Sequence, residues 1–235
     1  MLRTASRSSP RGGSVSAATR IVKPKGRPAP KPKAVRRTIE RADWLAAARA
    51  TLIRDGIAAV KIDRLATMLQ VTRGGFYWRF KGHGDLLDSL LQDWKQTNTA
   101  HMLAALRGPG TPAERFHALI DLWIDEIDFD PAYDMAVREW GRVSPRVGKL
   151  VRKVDDERIA AFRQLFLDAG YDDDEAFIRA RIAYYHQVGY YAMGVKETKA
   201  RRRKLAELYF HALTGLRSIA GPGRLAEQRR PPCKG

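Results

Sequence analysis

The chain has 235 residues, 44% of them hydrophobic, which suffices for a small packed domain joined to a larger one. Its formal charge is +17 and its sole cysteine is Cys233, so an internal disulfide framework is excluded and a polyanionic partner is implied. No apolar run approaches the ~20 residues of a membrane span, and no continuous apolar stretch follows the N-terminus as in a secretory signal.

The charge is concentrated at one end. Residues 1–40 hold eleven Lys/Arg against a single acid, Glu40, a net +10, whereas the other 195 residues hold 32 basic and 25 acidic groups, a net +7. Residues 1–38 are rich in Pro, Gly, Ser and Ala without apolar periodicity, and are predicted to be a disordered basic arm. Lys25-Gly26-Arg27-Pro28 is similar to the core of an AT-hook, which lays an extended arginine into an A·T minor groove. Sequence-independent attraction to phosphates, a solubilising tail, or an Arg/Ser-rich transit peptide are the other readings of the same composition.

Elements begin after the arm. Trp44, Leu45, Ala48 and Leu52 mark an amphipathic helix that stops at Gly56. Ile62, Leu65, Ala66 and Leu69 fall at i, i+3, i+4 and i+7, the stripe of a second helix with Asp63 in its first turn. After a break at Gln70 and Val71, Thr72 is placed to cap a third helix whose Phe76 and Phe80 face inward. Gly74, Tyr77, Trp78 and Lys81 then point away. Two glycines in so short a helix each cost about 1 kcal/mol against alanine, which makes sense where a partner must approach the backbone closely. Asp85-Leu-Leu-Asp-Ser-Leu-Leu opens a longer helix. An ordinary helical hairpin with exposed aromatics would explain the middle pair alone, but the order helix, helix, turn, helix, long helix is that of a three-helix DNA-binding head.

With capping, core and exposed positions in one register from Leu65-Ala66, through Val71 to Lys81, to Asp85-Leu86-Leu87, residues 41–91 resemble the N-terminal domain of tetracycline-repressor-type (TetR-family) regulators. The resemblance implies an all-α protein: a helix-turn-helix head over residues 39–84, a helical regulatory and dimerisation domain over 85–220, and a flexible tail over 221–235. It implies a repressor that binds a palindromic double-stranded operator as a homodimer and is released by a small-molecule effector. Carried over by position, Thr72, Arg73, Gly74, Gly75, Tyr77, Trp78 and Lys81 form the DNA-contact set, with Tyr77 and Lys81 on phosphates. The chain departs from the family pattern at three places: Lys61 occupies the usual Ser/Thr cap, Gln70 replaces the turn glycine, and His83 stands where a basic residue often meets phosphate.

The body reads as helices at roughly 85–107, 112–128, 131–142, 145–169, 172–196 and 199–219, divided by Gly/Pro-rich breaks. Thr111-Pro112 and Asp130-Pro131 place proline at the first helical position behind a capping residue. The acidic run Asp172–Glu175 is read as a first turn that complements a helix dipole rather than as a metal cluster. Leu205, Leu208, Ala212, Leu213 and Leu216, with Tyr185 and Gly189 on the preceding helix, form the seam expected to close a four-helix bundle between two copies. Phe116, Trp123, Tyr133, Met135, Trp140, Phe162, Phe166, Tyr184, His186 and Tyr190 mix aromatic and polar groups on inner faces; Trp123, Trp140 and His186 are the candidates for lining an effector site.

His83, His101, His117, His186 and His211 are scattered without metal-ligand spacing, and the chain has no nucleophile elbow, P-loop or dinucleotide fingerprint. The reading is therefore a non-enzymatic regulator with no catalytic residue, metal site or cofactor, no membrane association, and a cytoplasmic, nucleoid-associated location. The alternative is an architectural DNA-binding protein in which the arm's charge outweighs readout of sequence.

Overall fold

The computed structural model describes residues 38–216, a run of helices with short connections. They are α1 (Arg41–Asp55), α2 (Ile62–Met68), α3 (Arg73–Tyr77), α4 (His83–Lys95), α5 (His101–Arg107), α6 (Pro112–Asp125), α7 (Pro131–Val143), α8 (Pro145–Asp168), α9 (Asp173–Ala192) and α10 (Lys199–Thr214). A 3₁₀ turn at Ile57–Ala59 follows α1, and a π-helical turn at Gln96–Ala100 joins α4 to α5. No strand occurs among the described residues. The basic arm with Lys25–Pro28, and the tail with Cys233, lie outside them.

Caps explain most boundaries. Glu114 N–H donates to Thr111 Oγ1 at 3.3 Å while the Glu114 carboxylate accepts from Thr111 N–H at 2.7 Å, a reciprocal box that starts α6 ahead of Pro112. Asp130 accepts from Tyr133 N–H at 3.0 Å to start α7, and Asp172 from Glu175 N–H at 2.9 Å to start α9. The Asp172–Glu175 run is thus occupied as a cap and first turn. Thr72 does not cap α3 in this way: its backbone is extended, but its side chain makes no capping hydrogen bond.

Three helices end alike, and one of them breaks the usual residue choice. At α8, α9 and α2 the last turn closes with a pair of backbone bonds around one left-handed residue. At α8 that residue is Gly170 (φ 91°) and at α9 it is Gly194 (φ 62°), but at α2 it is Gln70 (φ 56°). Gln70 N–H donates to Thr67 O at 3.1 Å and Val71 N–H to Ala66 O at 3.0 Å, so the turn keeps its geometry despite losing its glycine.

Two apolar cores hold the chain. The first joins Trp44, Ala48 and Leu52 of α1, Leu65 of α2, Phe76 of α3 and Leu86, Leu90 and Trp94 of α4 to Tyr133, Val137 and Trp140 of α7 and Val147, Val151 and Val154 of α8. The head therefore does not pack by itself; α7 and the first half of α8 complete its core. The second core gathers Phe116 and Trp123 of α6, Phe162 and Phe166 of α8, Ala180 and Tyr184 of α9 and Phe210 of α10.

Where the cores meet, α8 inserts Arg158 between α4, α7 and α9. Arg158 is 1% exposed and Asp134 2%. The guanidinium donates to Asp134 Oδ1 at 3.1 Å, to Asn98 O at 3.1 Å, to Thr99 Oγ1 at 2.9 Å and to the Tyr184 hydroxyl at 3.2 Å. Trp94 Nε1–H donates to the same Asp134 oxygen at 2.9 Å, and Arg138 bridges Asp134 (2.8 Å) to Asp155 (2.7 Å). Two carboxylates and two guanidiniums balance to zero, which is what permits their burial.

The helix expected at 85–107 is one feature in sequence but not in geometry, since the π turn interrupts it at Gln96–Ala100. The expected seam on α10 also divides. Leu208 is exposed, but Leu213 and Leu216 turn inward and pack on the second core beside Phe210, so they do not share its face. The outward apolar residues of these two helices are Phe177, Ile178, Ile182 and Tyr185 on α9 and Leu208 and Tyr209 on α10, with Met193 just past α9.

Candidate nucleic-acid interface and effector cleft

The recognition segment stands on a rigid floor. Phe76 is fully buried, edge-on to Trp44 at 5.2 Å and stacked on Phe80 at 5.1 Å. A corner of polar bonds then fixes where α3 ends. Asp85 accepts from Lys81 N–H at 2.9 Å and from Arg41 at 3.1 Å, while Arg41 also donates to Arg79 O at 2.6 Å and lies 4.0 Å over the Phe80 ring. The hydrogen bond from Arg41, followed by the Lys81 amide, holds the Asp85 carboxyl below its usual pKa.

On this floor Thr72, Arg73, Gly74, Tyr77, Trp78 and Lys81 are exposed, while Gly75 is half-buried. Trp78 is the extreme case, a large aromatic side chain 87% exposed at the end of α3. Arg73 Nε lies 2.9 Å from Asp63 Oδ1 on α2, a solvent-exposed ion pair of small energetic weight that leaves the guanidinium free to exchange partners. Neither glycine is required by the packing of the described residues. A Cβ added at Gly75 would meet nothing within 4 Å, and one at Gly74 would meet only Thr72 Oγ1 at 3.6 Å.

The three departures from the family pattern have distinct outcomes. Lys61 precedes α2 without a side-chain cap. Gln70 takes the left-handed turn conformation that glycine would take. His83 Nε2 lies 2.7 Å from Val60 O, so it carries the proton and donates to that carbonyl, tying α4 to the segment before α2.

Of the residues read as lining an effector site, Trp123 and His186 come together and Trp140 does not. Trp123 and His186 line a cleft with Ile120, Ile124, Gln187, Tyr190, Glu197, Arg202, Ala206, Tyr209 and Leu213. The cleft encloses ≈ 50 Å³ and is open to solvent at its outer end. Trp140 belongs to the first core, where α7 packs against α8 beneath the head. Gln187, Glu197 and Arg202 were not singled out in the sequence, because polar residues on a helix with solvent on one side carry no distinguishing spacing. Burial lowers the pKa of His186 below 6.5, so its imidazole is neutral near pH 7. Behind the Trp123 and Gln187 wall a smaller void reaches Asp134, Arg158 and Tyr184.

A short helix over a tight turn, presented by a packed three-helix head with an outward Arg, Tyr, Trp and Lys, defines a helix-turn-helix DNA-binding domain carried on a helical body. Residues 45–90 match the family described as bacterial regulatory proteins, tetR family. Solved structures share the fold across most of the chain. A TetR-family transcriptional regulator from Streptomyces coelicolor is similar at TM-score 0.60 and 23% identity, over 74% of this chain and 92% of that one. The fatty acid degradation regulator from Bacillus halodurans gives 0.57 and 14%, over 75% and 98%. The ketosteroid transcriptional regulator of Mycobacterium tuberculosis gives 0.56 and 16%, over 74% and 94%. Residues 45–90 thus match the DNA-binding domain of the tetR family, and the chain shares the fold of these regulators. No helix among the described residues is long and apolar enough to cross a membrane.

Proposed function

We propose that this protein is a sequence-specific transcriptional repressor that binds a pseudo-palindromic operator as a homodimer and leaves it when a small molecule enters the body. The observation that carries DNA readout is the pair Gly74 and Gly75. The fold has no internal need of either, and each weakens α3, so the reason for them lies in what approaches α3 from outside. Thr72, Arg73, Tyr77, Trp78 and Lys81 surround them as the contact set. Dimerisation is supported by the outward apolar faces of α9 and α10, with Tyr185, Gly189, Leu205 and Leu208 as the residues proposed to meet a second copy. Effector release is supported by the cleft at Trp123 and His186 and by the shared packing of head and body. A shift of α7 or α8 moves side chains that are also part of the head's core. Two regulators of similar fold are named a ketosteroid transcriptional regulator and a fatty acid degradation regulator, which agrees with an apolar occupant.

The test compares operator and random DNA at ~200 mM salt, where phosphate attraction fades. Arg73→Ala should cost roughly 1–3 kcal/mol on the operator and leave random DNA nearly unaffected. Deleting residues 1–36 should weaken both alike and flatten the salt dependence. The +10 charge of residues 1–40 favours the second reading, an architectural binder; that reading wins if wild-type affinity falls equally on both DNAs and Arg73→Ala changes neither.

A further inference from the structure

Three buried polar nitrogens in the effector cleft have no partner among the described residues: Trp123 Nε1, Gln187 Nε2 and His186 Nδ1. All three residues line this cleft, and Trp123 and Gln187 also line the smaller void behind it. Trp123 is 4% exposed, and its indole N–H meets no acceptor among the described residues. A buried donor left unmade is costly, and Trp123 Nε1 and Gln187 Nε2 put two of them in one cleft. Indole N–H and amide NH₂ can only donate. What the wall lacks is an acceptor.

The charges nearby are already engaged. Arg202 is paired with Glu126 at 2.6 Å and donates to Trp123 O at 2.8 Å, and Glu197 accepts from the Tyr190 hydroxyl at 3.1 Å. The rest of the lining, Ile120, Ile124, Ala206, Tyr209 and Leu213, is apolar or aromatic. We infer that the cleft takes an uncharged apolar molecule through a single carbonyl oxygen, with Trp123 Nε1–H and the Gln187 amide donating to that oxygen. The inference rests on reading this cleft as the effector site and adds the ligand's chemistry. A carboxylate fits less well, since the described residues lining the site offer it no free cation and burial lowers the pKa of His186. The enclosed ≈ 50 Å³ holds on the order of four water-sized groups, enough for the carbonyl end, with the apolar remainder lying along Ile120, Ile124, Tyr209 and Leu213.

Three probes of matched shape decide it: acetophenone, ethylbenzene and benzoate, titrated into the full-length protein without DNA. The indole N–H resonances are followed by nitrogen–proton correlation, with Trp123's assigned by Trp123→Phe. Acetophenone should move the Trp123 resonance and bind about tenfold or more tighter than ethylbenzene, with benzoate weaker than acetophenone. Trp123→Phe, and separately Gln187→Leu, should shrink the acetophenone-to-ethylbenzene affinity ratio several-fold. Equal affinity for acetophenone and ethylbenzene, preference for benzoate, a Trp123 resonance that stays put, or no binding of any probe would each overturn the inference. Operator release is measured separately. Carbonyl-selective binding at Trp123 with unchanged operator affinity would uphold the ligand chemistry and refute the effector reading.

Discussion

Arg158 and Asp134, on neighbouring helices and both withdrawn from water, meet at 3.1 Å at the junction of the two apolar cores. Removing one partner leaves the other charged and unpaired. Asp134→Asn is expected to cost about 3–5 kcal/mol, whereas Asp134→Leu combined with Arg158→Met should cost much less, because it removes both charges together. Urea denaturation of the single and double variants measures the difference. A single variant within ~1 kcal/mol of wild type would mean that the pair is not buried in solution.

The same carboxylate fixes an acid limit. Burial alone would raise the pKa of Asp134, but Arg158 and then Arg138 outweigh it, so the folded value lies below 3.8. The unfolded state binds its proton first, so the stabilisation is present above about pH 4 and lost as pH falls through the folded value. His186 adds a second, milder slope: its folded pKa lies below 6.5, so stability declines as pH drops beneath 6.5 until the folded imidazole also protonates. Thermal midpoints between pH 7 and 5 should show this slope, and His186→Gln should flatten it.

Gln70 holds a left-handed conformation that two equivalent turns give to glycine. Gln70→Gly should raise stability by about 1 kcal/mol, the cost of that conformation for a residue with a Cβ. Gly170→Ala, with open space around the added methyl but the same dihedral demand, should lower it by a similar amount. Chemical denaturation midpoints with unchanged m-values would establish both.

At Gly74 and Gly75 stability and function should part company. Alanine at either position meets no obstruction within the protein and favours helix by roughly 0.5–1 kcal/mol, so each variant should be more stable. Each should also bind operator more weakly, because the added methyl stands between backbone and DNA. A variant that gains stability and keeps full operator affinity would remove the argument from close approach.

The outward faces of α9 and α10 supply a fifth test. Ile182→Glu with Leu208→Glu places charge on two exposed side chains that no part of the described chain covers. Light scattering should show monomers with melting behaviour close to wild type, and cooperative operator binding should be lost. A pair that remained dimeric would move the interface elsewhere.

Most helix boundaries were legible because proline, glycine and capping residues announce them locally, as Thr111-Pro112 and Asp130-Pro131 do. The exposed recognition set was legible for the same reason: Phe76 and Phe80 fix which way α3 faces. Long-range facts were not. Trp140 looks like a cavity residue until α8 is packed against it, and Leu213 looks like part of an outward seam until the second core draws it in. Arg158 left a trace that could have been read, since it occupies an apolar-stripe position between Val154 and Phe162. Its partners lie on three other helices, and spacing within one helix cannot name them.

Leu86, Leu90, Trp94, Asn98, Met102 and Leu106 are all buried, each four residues after the last. In a regular helix a four-residue step overshoots the 3.6-residue turn by about 40°, so five steps would carry the stripe roughly 200° around the axis, to the far side. The wider turn at Gln96–Ala100 winds part of this back and keeps the seam on one side. The segment thus works as a vernier between two scales, one of four residues and one of 3.6. Deleting a single residue there would let it relax to ordinary α-helix and would turn everything after it about the axis while hardly shortening it. In this chain the azimuth at which the head is presented is set by a residue count, independent of which residues make the contacts.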